Sequence, residues 1–278
     1  MKKKQLRIFT YLPNPRIWKA LITANILGVE VEIRSDKPSN LKNWLWDFNA
    51  RPLSENDRTS LNATNIQGKK GFKGNLIKTK KFLILNPFGT VPVAFNISGT
   101  NGVFESNSIL RLVARLGKNK YKIYGKDLFN KSRIDSYLDS CLAFGTMTQN
   151  YMLSLYSKKK ISKHIINNTE IAYTIFLNGI EKSLEESKKK YLVSNNLTIA
   201  DICFFAEFSQ FLFYETKAIG YSENGLDSIF DKYKKKYRLS KAFFCFLLNH
   251  KSFGKIAYND LMESGVLKKI NFKKLQYK

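Results

Sequence analysis

Acid is scarce in this sequence. Its 22 aspartates and glutamates stand against 47 lysines and arginines, a formal charge of +25 at pH 7 over 278 residues. A chain so charged is drawn toward acidic proteins or nucleic acid. Histidine is scarcer still, with His164 and His250 alone. There is no HxxxH and no CxxC spacing, so no metal site is expected. Two isolated histidines also cannot build a Ser-His-Asp or Cys-His arrangement, which disfavours hydrolytic chemistry. The three cysteines, Cys141, Cys203 and Cys245, are odd in number, far apart and set in apolar segments. They read as buried thiols rather than a disulfide framework. No run approaches the roughly 20 apolar residues that span a bilayer, so no membrane span is expected. The opening MKKKQLRIFTYLPNPR starts like a signal peptide, but Arg7 and Thr10 interrupt it and Pro13 and Pro15 follow. Without an apolar h-region the expectation is a cytoplasmic protein. Nucleotide-binding loops are missing too, because GKKGFKG at 68–74 has the wrong glycine spacing and no helix signal after it.

What is present supports a folded chain of two domains. Hydrophobic residues make up 44% and aromatics 14% of the sequence, enough for a packed core. Residues 6–10 alternate weakly as a first strand. Pro15 suits the first turn of a helix whose apolar positions are Ile17, Trp18, Ala20, Leu21, Ala24, Ile26 and Leu27, and Gly28 ends it. Residues 29–34 alternate strictly, giving a second strand parallel to the first. Residues 41–48 read as a short helix. Residues 49–79, rich in Asn, Ser, Gly and Lys, read as a long, mobile loop or insertion. A hairpin follows, turning at 98–102. Then comes a helix opened by Glu105 and Ser106, with an apolar face of Ile109, Leu110, Val113 and Leu116. From Asp127 onward the pattern is helical, and the absence of proline after Pro92 agrees. Lysine runs at 158–160, 188–190 and 234–236 mark connections between helices.

A strand, helix, strand, hairpin and helix in that order is the thioredoxin-like arrangement. NPFGTVPV at 86–93 resembles the NPxGxVP signature of glutathione transferases. The resemblance implies a cis bond at Val91-Pro92, with the Val91 backbone offered to the cysteinyl part of glutathione. FESNSILRLVARL resembles that family's ES segment. By the same likeness Glu105 and Ser106 would take the γ-glutamyl end at a helix N-terminus; as residues alone, Ser106 also reads as an N-cap. NLTIADI at 196–202 resembles the LTxAD motif, whose Thr198 and Asp201 have capping-box spacing and a structural role. IYGKDLFNKSRIDSYLDSCLAF, RLSKAFFCFLLNHKSFGKI and the opening NPRIWKALITANILGVEVEI resemble one branch, the transferase-like region of the gamma subunit of eukaryotic elongation factor 1. His250 and Lys251 depart from the Gln-Pro of that branch. Its members also carry a further C-terminal domain, whereas this chain stops at LKKINFKKLQYK; both a piece of a longer chain and a free-standing relative remain open.

The fold class implied is α/β plus all-α. A thioredoxin-like domain spans 1–117 with an insertion near 49–79, and an all-helical transferase domain spans 125–278. The leading function is a scaffold subunit of the elongation factor 1 exchange complex, non-catalytic or weakly catalytic, docking the nucleotide-exchange subunit. It would associate indirectly with tRNA or the ribosome, and a homodimer stays open. One rival is an active glutathione transferase; another is a basic binding module of a tRNA or synthetase assembly. No cofactor is required, with glutathione the candidate ligand. Transferases activate the thiol with a hydroxyl near the end of the first strand or the start of the first helix. Tyr11 and Thr10 are the strand-end candidates, with Tyr11 preferred. At the helix start Asn14 or Pro15 stands where a serine would serve, and the Asn14 amide is a weak donor.

Overall fold

The computed structural model describes residues 4–58, 63–68, 72, 74–117, 122–157, 160–186, 189–218 and 228–273. Lys158, Lys159 and Lys188 of the lysine runs lie outside these residues, as does part of the 68–74 segment. The chain divides into two compact units, Met1–Gly117 and Lys118–Lys278.

The first unit is thioredoxin-like. Its main sheet runs β2-β1-β7-β8, built from β1 (Leu6–Tyr11), β2 (Val31–Asp36), β7 (Val93–Phe95) and β8 (Gly102–Phe104). β1 pairs parallel with β2, while β7 is antiparallel to both β1 and β8. α1 (Pro15–Leu27) makes the crossover, with Asn14 as N-cap, Pro15 in the first turn and Gly28 closing it in the left-handed region at φ +69°. α3 (Ser106–Leu116) follows β8 and packs on α1.

Two sequence expectations fail here for one reason. Residues 41–48 are not a helix: a 3-10 turn over Pro38–Asn43 leads into strand β3 (Trp44–Trp46). Residues 49–79 are not a long loop. They carry β4 (Arg51–Pro52), β5 (Ala63–Gln67) and β6 (Asn75–Thr79), which join β3 in a second four-stranded sheet of order β4-β3-β6-β5. The strands are short, and the segment that carries them is rich in Asn, Ser, Gly and Lys, so each is weak alone. They are fixed by burial of Trp46, Leu76 and Ile77, which alternation over such short runs does not reveal. With α2 (Lys80–Leu85) this sheet covers one face of the main sheet. Phe9 meets Trp46 edge-on at 5.3 Å, and Trp46 meets Phe82 at 6.0 Å. Arg51 grips Asp57 with its two terminal guanidinium nitrogens, at 2.6 and 2.8 Å.

Among its described residues the second unit carries helices and no strand: α4 (Leu128–Met147), α5 (Gln149–Tyr156), α6 (Lys163–Glu186), α7 (Ile199–Glu215), α8 (Ile229–Tyr233), α9 (Arg238–Asn249), α10 (Lys251–Glu263) and α11 (Val266–Lys269). α7 is buried around nearly its whole circumference, as expected of a helix apolar on every side. Phe204, Phe205, Phe208 and Phe211 pack outward from it onto Phe176, Phe244 and Tyr173. Its first turn carries the expected capping box. The Thr198 backbone N–H donates to Asp201 Oδ2 at 2.7 Å and the Thr198 hydroxyl at 2.9 Å, while Leu192 N–H reaches Oδ1 at 2.8 Å. At the far end buried Glu215 accepts from Tyr151, Ser228 and the Phe230 N–H, lashing α7 to α5 and the start of α8. Burial pushes its carboxyl above the ordinary range.

Three outcomes follow. Trp46→Ala should destabilise the first unit by about 3–5 kcal/mol, as loss of a buried aromatic does; chemical denaturation checks it. Asp201→Ala should cost about 2 kcal/mol, combining a lost cap with an unpaired Leu192 N–H, again read by denaturation. Burial also raises the Asp201 carboxyl from 3.8 to about 6. The folded chain thus holds that proton more tightly than the unfolded chain. The resulting stabilisation is full below about pH 4 and lost as pH rises through about 6. Unfolding free energy relative to Asp201→Asn should therefore fall across that window.

Candidate functional site

The register of the main sheet decides which residues meet. β1–β7 pairing ends at Phe9 opposite Val93, and Val93 lies opposite Phe104 on β8. Beyond that one edge the chain leaves β1 through Tyr11, enters β7 through Val91 and Pro92, and leaves β8 into Glu105. α1 and α3 both start there, so their unsatisfied first-turn N–H groups open at the same edge. Tyr11, Asn14, Val91, Pro92, Glu105 and Ser106, separated by up to 95 residues in sequence, therefore share one end of the sheet.

Glu105 has φ +67° and ψ 126°, a conformation that residues other than glycine rarely adopt. Such backbone strain persists only where the surroundings impose it, and it concentrates at binding sites. Ser106 opens α3. Its Oγ accepts from Lys19 Nζ at 3.2 Å, and the same ammonium donates to Asn107 Oδ1 at 2.7 Å. Lys19 is 1% exposed. A buried cation beside the positive end of a helix makes a potential that favours an anionic group. Sequence reasoning passed over Lys19; the available signal was a lysine flanked by the apolar positions Ile17, Trp18, Ala20 and Leu21 of one helix.

The thiol-activating candidates fare differently. Thr10 is fully buried; its hydroxyl donates to the Tyr11 carbonyl at 3.2 Å and accepts from the Asn14 amide at 3.1 Å. Asn14 is buried too, and its Oδ1 caps α1 by accepting from Arg16 N–H at 3.1 Å. Pro15 lies buried in the first turn of α1. Tyr11 is half-buried, its ring edge-on to Phe72 of the inserted segment at 6.0 Å.

The Val91–Pro92 peptide is cis. The turn before it is held from inside: Gly89 N–H donates to Asn86 O at 2.8 Å, and the Asn86 amide to Thr90 O at 2.7 Å. Gly89 sits at φ +59°, which its missing side chain permits. Lys78 of β6, 7% exposed, donates to the Gly89 carbonyl at 2.6 Å and stands 4.6 Å over the Trp46 ring. Burial lowers the pKa of its ammonium. The inserted sheet thus braces the turn that presents Val91.

Comparison with known proteins agrees with this architecture. The family model for the glutathione S-transferase C-terminal domain matches residues 147–241, from the end of α4 into α9. Elongation factor 1-gamma 3 of Oryza sativa subsp. japonica is 27% identical over 194 residues, taking in 68% of this chain and 36% of that protein. The chain thus spans little more than a third of the length of such relatives. An alpha glutathione S-transferase from Sus scrofa is 30% identical over 161 residues, covering 56% of this chain and 67% of that protein. Among solved structures, a glutathione transferase from Phanerochaete chrysosporium in complex with oxidized glutathione superposes with a TM-score of 0.61 at 16% identity, over 94% of this chain and 98% of that one. A Drosophila melanogaster glutathione S-transferase gives 0.61 at 17%, over 98% and 100%. At that identity the two structures speak for the fold, and the sequence match to the Sus scrofa enzyme carries the assignment further: the chain belongs to the glutathione S-transferase family.

Proposed function

We propose that this chain is a transferase-like scaffold subunit of a translation elongation factor 1 exchange complex in the cytoplasm, docking the nucleotide-exchange subunit and conjugating little or nothing. The observation that carries this reading is the likeness to elongation factor 1-gamma proteins over 68% of the chain. Among the described residues no helix is long and apolar enough to cross a membrane, which is consistent with it. The buried, mutually bonded Thr10 and Asn14 leave Tyr11 as the remaining hydroxyl donor, and no serine stands at the start of α1. Binding that treats thiol and thiolate alike gives no rate. On size-exclusion chromatography the chain should co-elute with the nucleotide-exchange subunit. Failure to do so, with retention on tRNA in the absence of protein partners, would favour the basic tRNA or synthetase module instead.

The enzyme reading keeps one observation in its favour, the strained Glu105 beside Ser106 and Lys19 at the start of α3. We therefore expect the edge to take glutathione weakly, with the tripeptide backbone along Val91 and its glutamyl carboxylate at α3. Calorimetry should report weak binding, and a standard electrophile assay should report background turnover. Glu105→Gly should relieve about 1 kcal/mol of backbone strain, raising the melting temperature while weakening glutathione binding. Robust turnover abolished by Tyr11→Phe would overturn the scaffold reading and make Tyr11 the thiolate donor.

A further inference from the structure

The lysine run at 234–236 does more than connect two helices. Residues 232–241 carry six cations and no acid. Blocks of like charge are commonly disordered, but this one is fixed on folded backbone. Tyr233 and Tyr237 bracket the turn between α8 and α9. The Tyr233 hydroxyl donates to Glu170 at 3.2 Å and the Tyr237 hydroxyl to Asn178 Oδ1 at 3.0 Å, both on α6. The Lys236 N–H closes the turn on the Tyr233 carbonyl at 2.9 Å. The Lys236 ammonium stands 5.1 Å from the centre of the Tyr237 ring. A side chain already ordered loses less freedom on meeting a ligand.

The acids within reach are already occupied. Lys232 Nζ donates to both Glu170 carboxylate oxygens at 2.8 Å. Asp231 pairs with Lys234 at 3.0 Å and Lys269 at 2.6 Å. Buried Glu181 accepts from the Leu239 and Ser240 N–H groups at the start of α9. Lys235, Lys236, Arg238 and Lys241 are left without a carboxylate partner among the described residues. α9 buries Ser240, Phe243, Phe244, Leu247 and Leu248, so Arg238 and Lys241, three residues apart, share its outer stripe. At about 1.5 Å per residue that helix runs about 18 Å. Near its far end Phe246 meets Tyr191 at 5.7 Å, both half-buried, and Lys190 Nζ stands 5.4 Å from the Phe246 ring. Among the described residues of α8 and α9 no large apolar side chain is exposed. A protein–protein interface wants an apolar centre and is poor in lysine. A nucleic-acid interface is polar and strongly positive, which matches this surface.

We propose that the turn at 234–236 and the outer stripe of α9 form a docking surface for single-stranded RNA. Lys235, Lys236, Arg238 and Lys241 meet its phosphates, and an unpaired base lies against Phe246 beside Tyr191. A cationic track that ends on an aromatic face is how single strands are held without regard to sequence. A duplex is a poorer match, because its bases are stacked inward and cannot reach Phe246. The choice of RNA over DNA rests on the cytoplasmic reading above. The surface itself does not rest on the elongation factor reading: co-elution with an exchange subunit is a separate measurement, and either can fail alone.

The test uses the full chain and a fluorescein-labelled oligouridylate of about 15 nucleotides, within the usual site size for a single strand. Anisotropy should show saturable binding that weakens as salt rises. Lys235→Glu, Arg238→Glu and Lys241→Glu together should weaken it by about tenfold or more. They should also lower the slope of log affinity against log salt by about 2, at about 0.7 per phosphate contact. The same three positions changed to glutamine should lower the slope equally, so a folding defect in the charge-reversed chain leaves the test intact. Phe246→Leu should weaken binding by about fivefold with the slope unchanged. Lys42→Glu, Lys80→Glu and Lys126→Glu together make the same change of charge at other exposed positions and should leave the slope where it was. Equal losses in that control would overturn the proposal, since attraction would then belong to the net charge alone. So would displacement of the RNA by polyglutamate at equal charge, tighter binding of duplex RNA or of a deoxyuridine strand of the same length, or unchanged affinity in Phe246→Leu.

Discussion

The antiparallel alignment of β7 with β1 and β8 is the constraint on which the first unit depends. Because Phe9, Val93 and Phe104 lie abreast, the end of the first strand, the start of the third and the end of the fourth converge at one edge. Side chains alternate along each strand, so a slip of one residue would turn Phe9, Val93 and Phe95 away from the core they fill. Burial of those residues therefore fixes the position of Tyr11, Val91 and Glu105 beyond it. The candidate site is a by-product of core packing in this sense: its residues contribute little to the register that assembles them.

The inserted sheet shows how a weak segment becomes structure. None of β3, β4, β5 or β6 would persist alone, since isolated short strands bury too little. Laid over the main sheet, they bring Trp46, Leu76 and Ala50 against Phe9, Phe82 and Phe95. That arrangement also buries Lys78, whose ammonium is held by one carbonyl and one indole face. A lysine in that position ties the covering sheet to the turn before Pro92. The segment thereby belongs to the support of the site as well as to the core.

The second unit is organised around α7, and polar groups fix both its ends. Asp201 satisfies the first turn from within, and Glu215 spans from the last turn to the start of α8. Both are carboxylates excluded from water, tolerable because each accepts several hydrogen bonds. Between them the aromatic surface of α7 seats α4, α6 and α9. On the outer faces of α4 and α6 the large apolar side chains Leu142, Met147, Ile171 and Ile175 are exposed.

The sequence by itself determined the elements whose signal is local. Pro15 and Gly28 bracket α1, Thr198 and Asp201 start α7, and the alternation near residues 31–34 marks β2, because caps and periodicity act over a few residues. The family likeness also rested on short motifs around Val91–Pro92, Glu105–Ser106 and Thr198–Asp201. Tertiary structure alone decided the rest. β3, β4, β5 and β6 became a sheet because a distant apolar face was there to receive Trp46 and Leu76. Lys19 came to Ser106 and Asn107 across 87 and 88 residues because α1 and α3 pack together. Thr10 and Asn14 were engaged by one another, four residues apart, only once the strand-to-helix turn had closed. In each case the deciding contact joins residues whose separation in the chain carries no periodic or capping signal, and burial, which sets its energy, exists only in the folded chain.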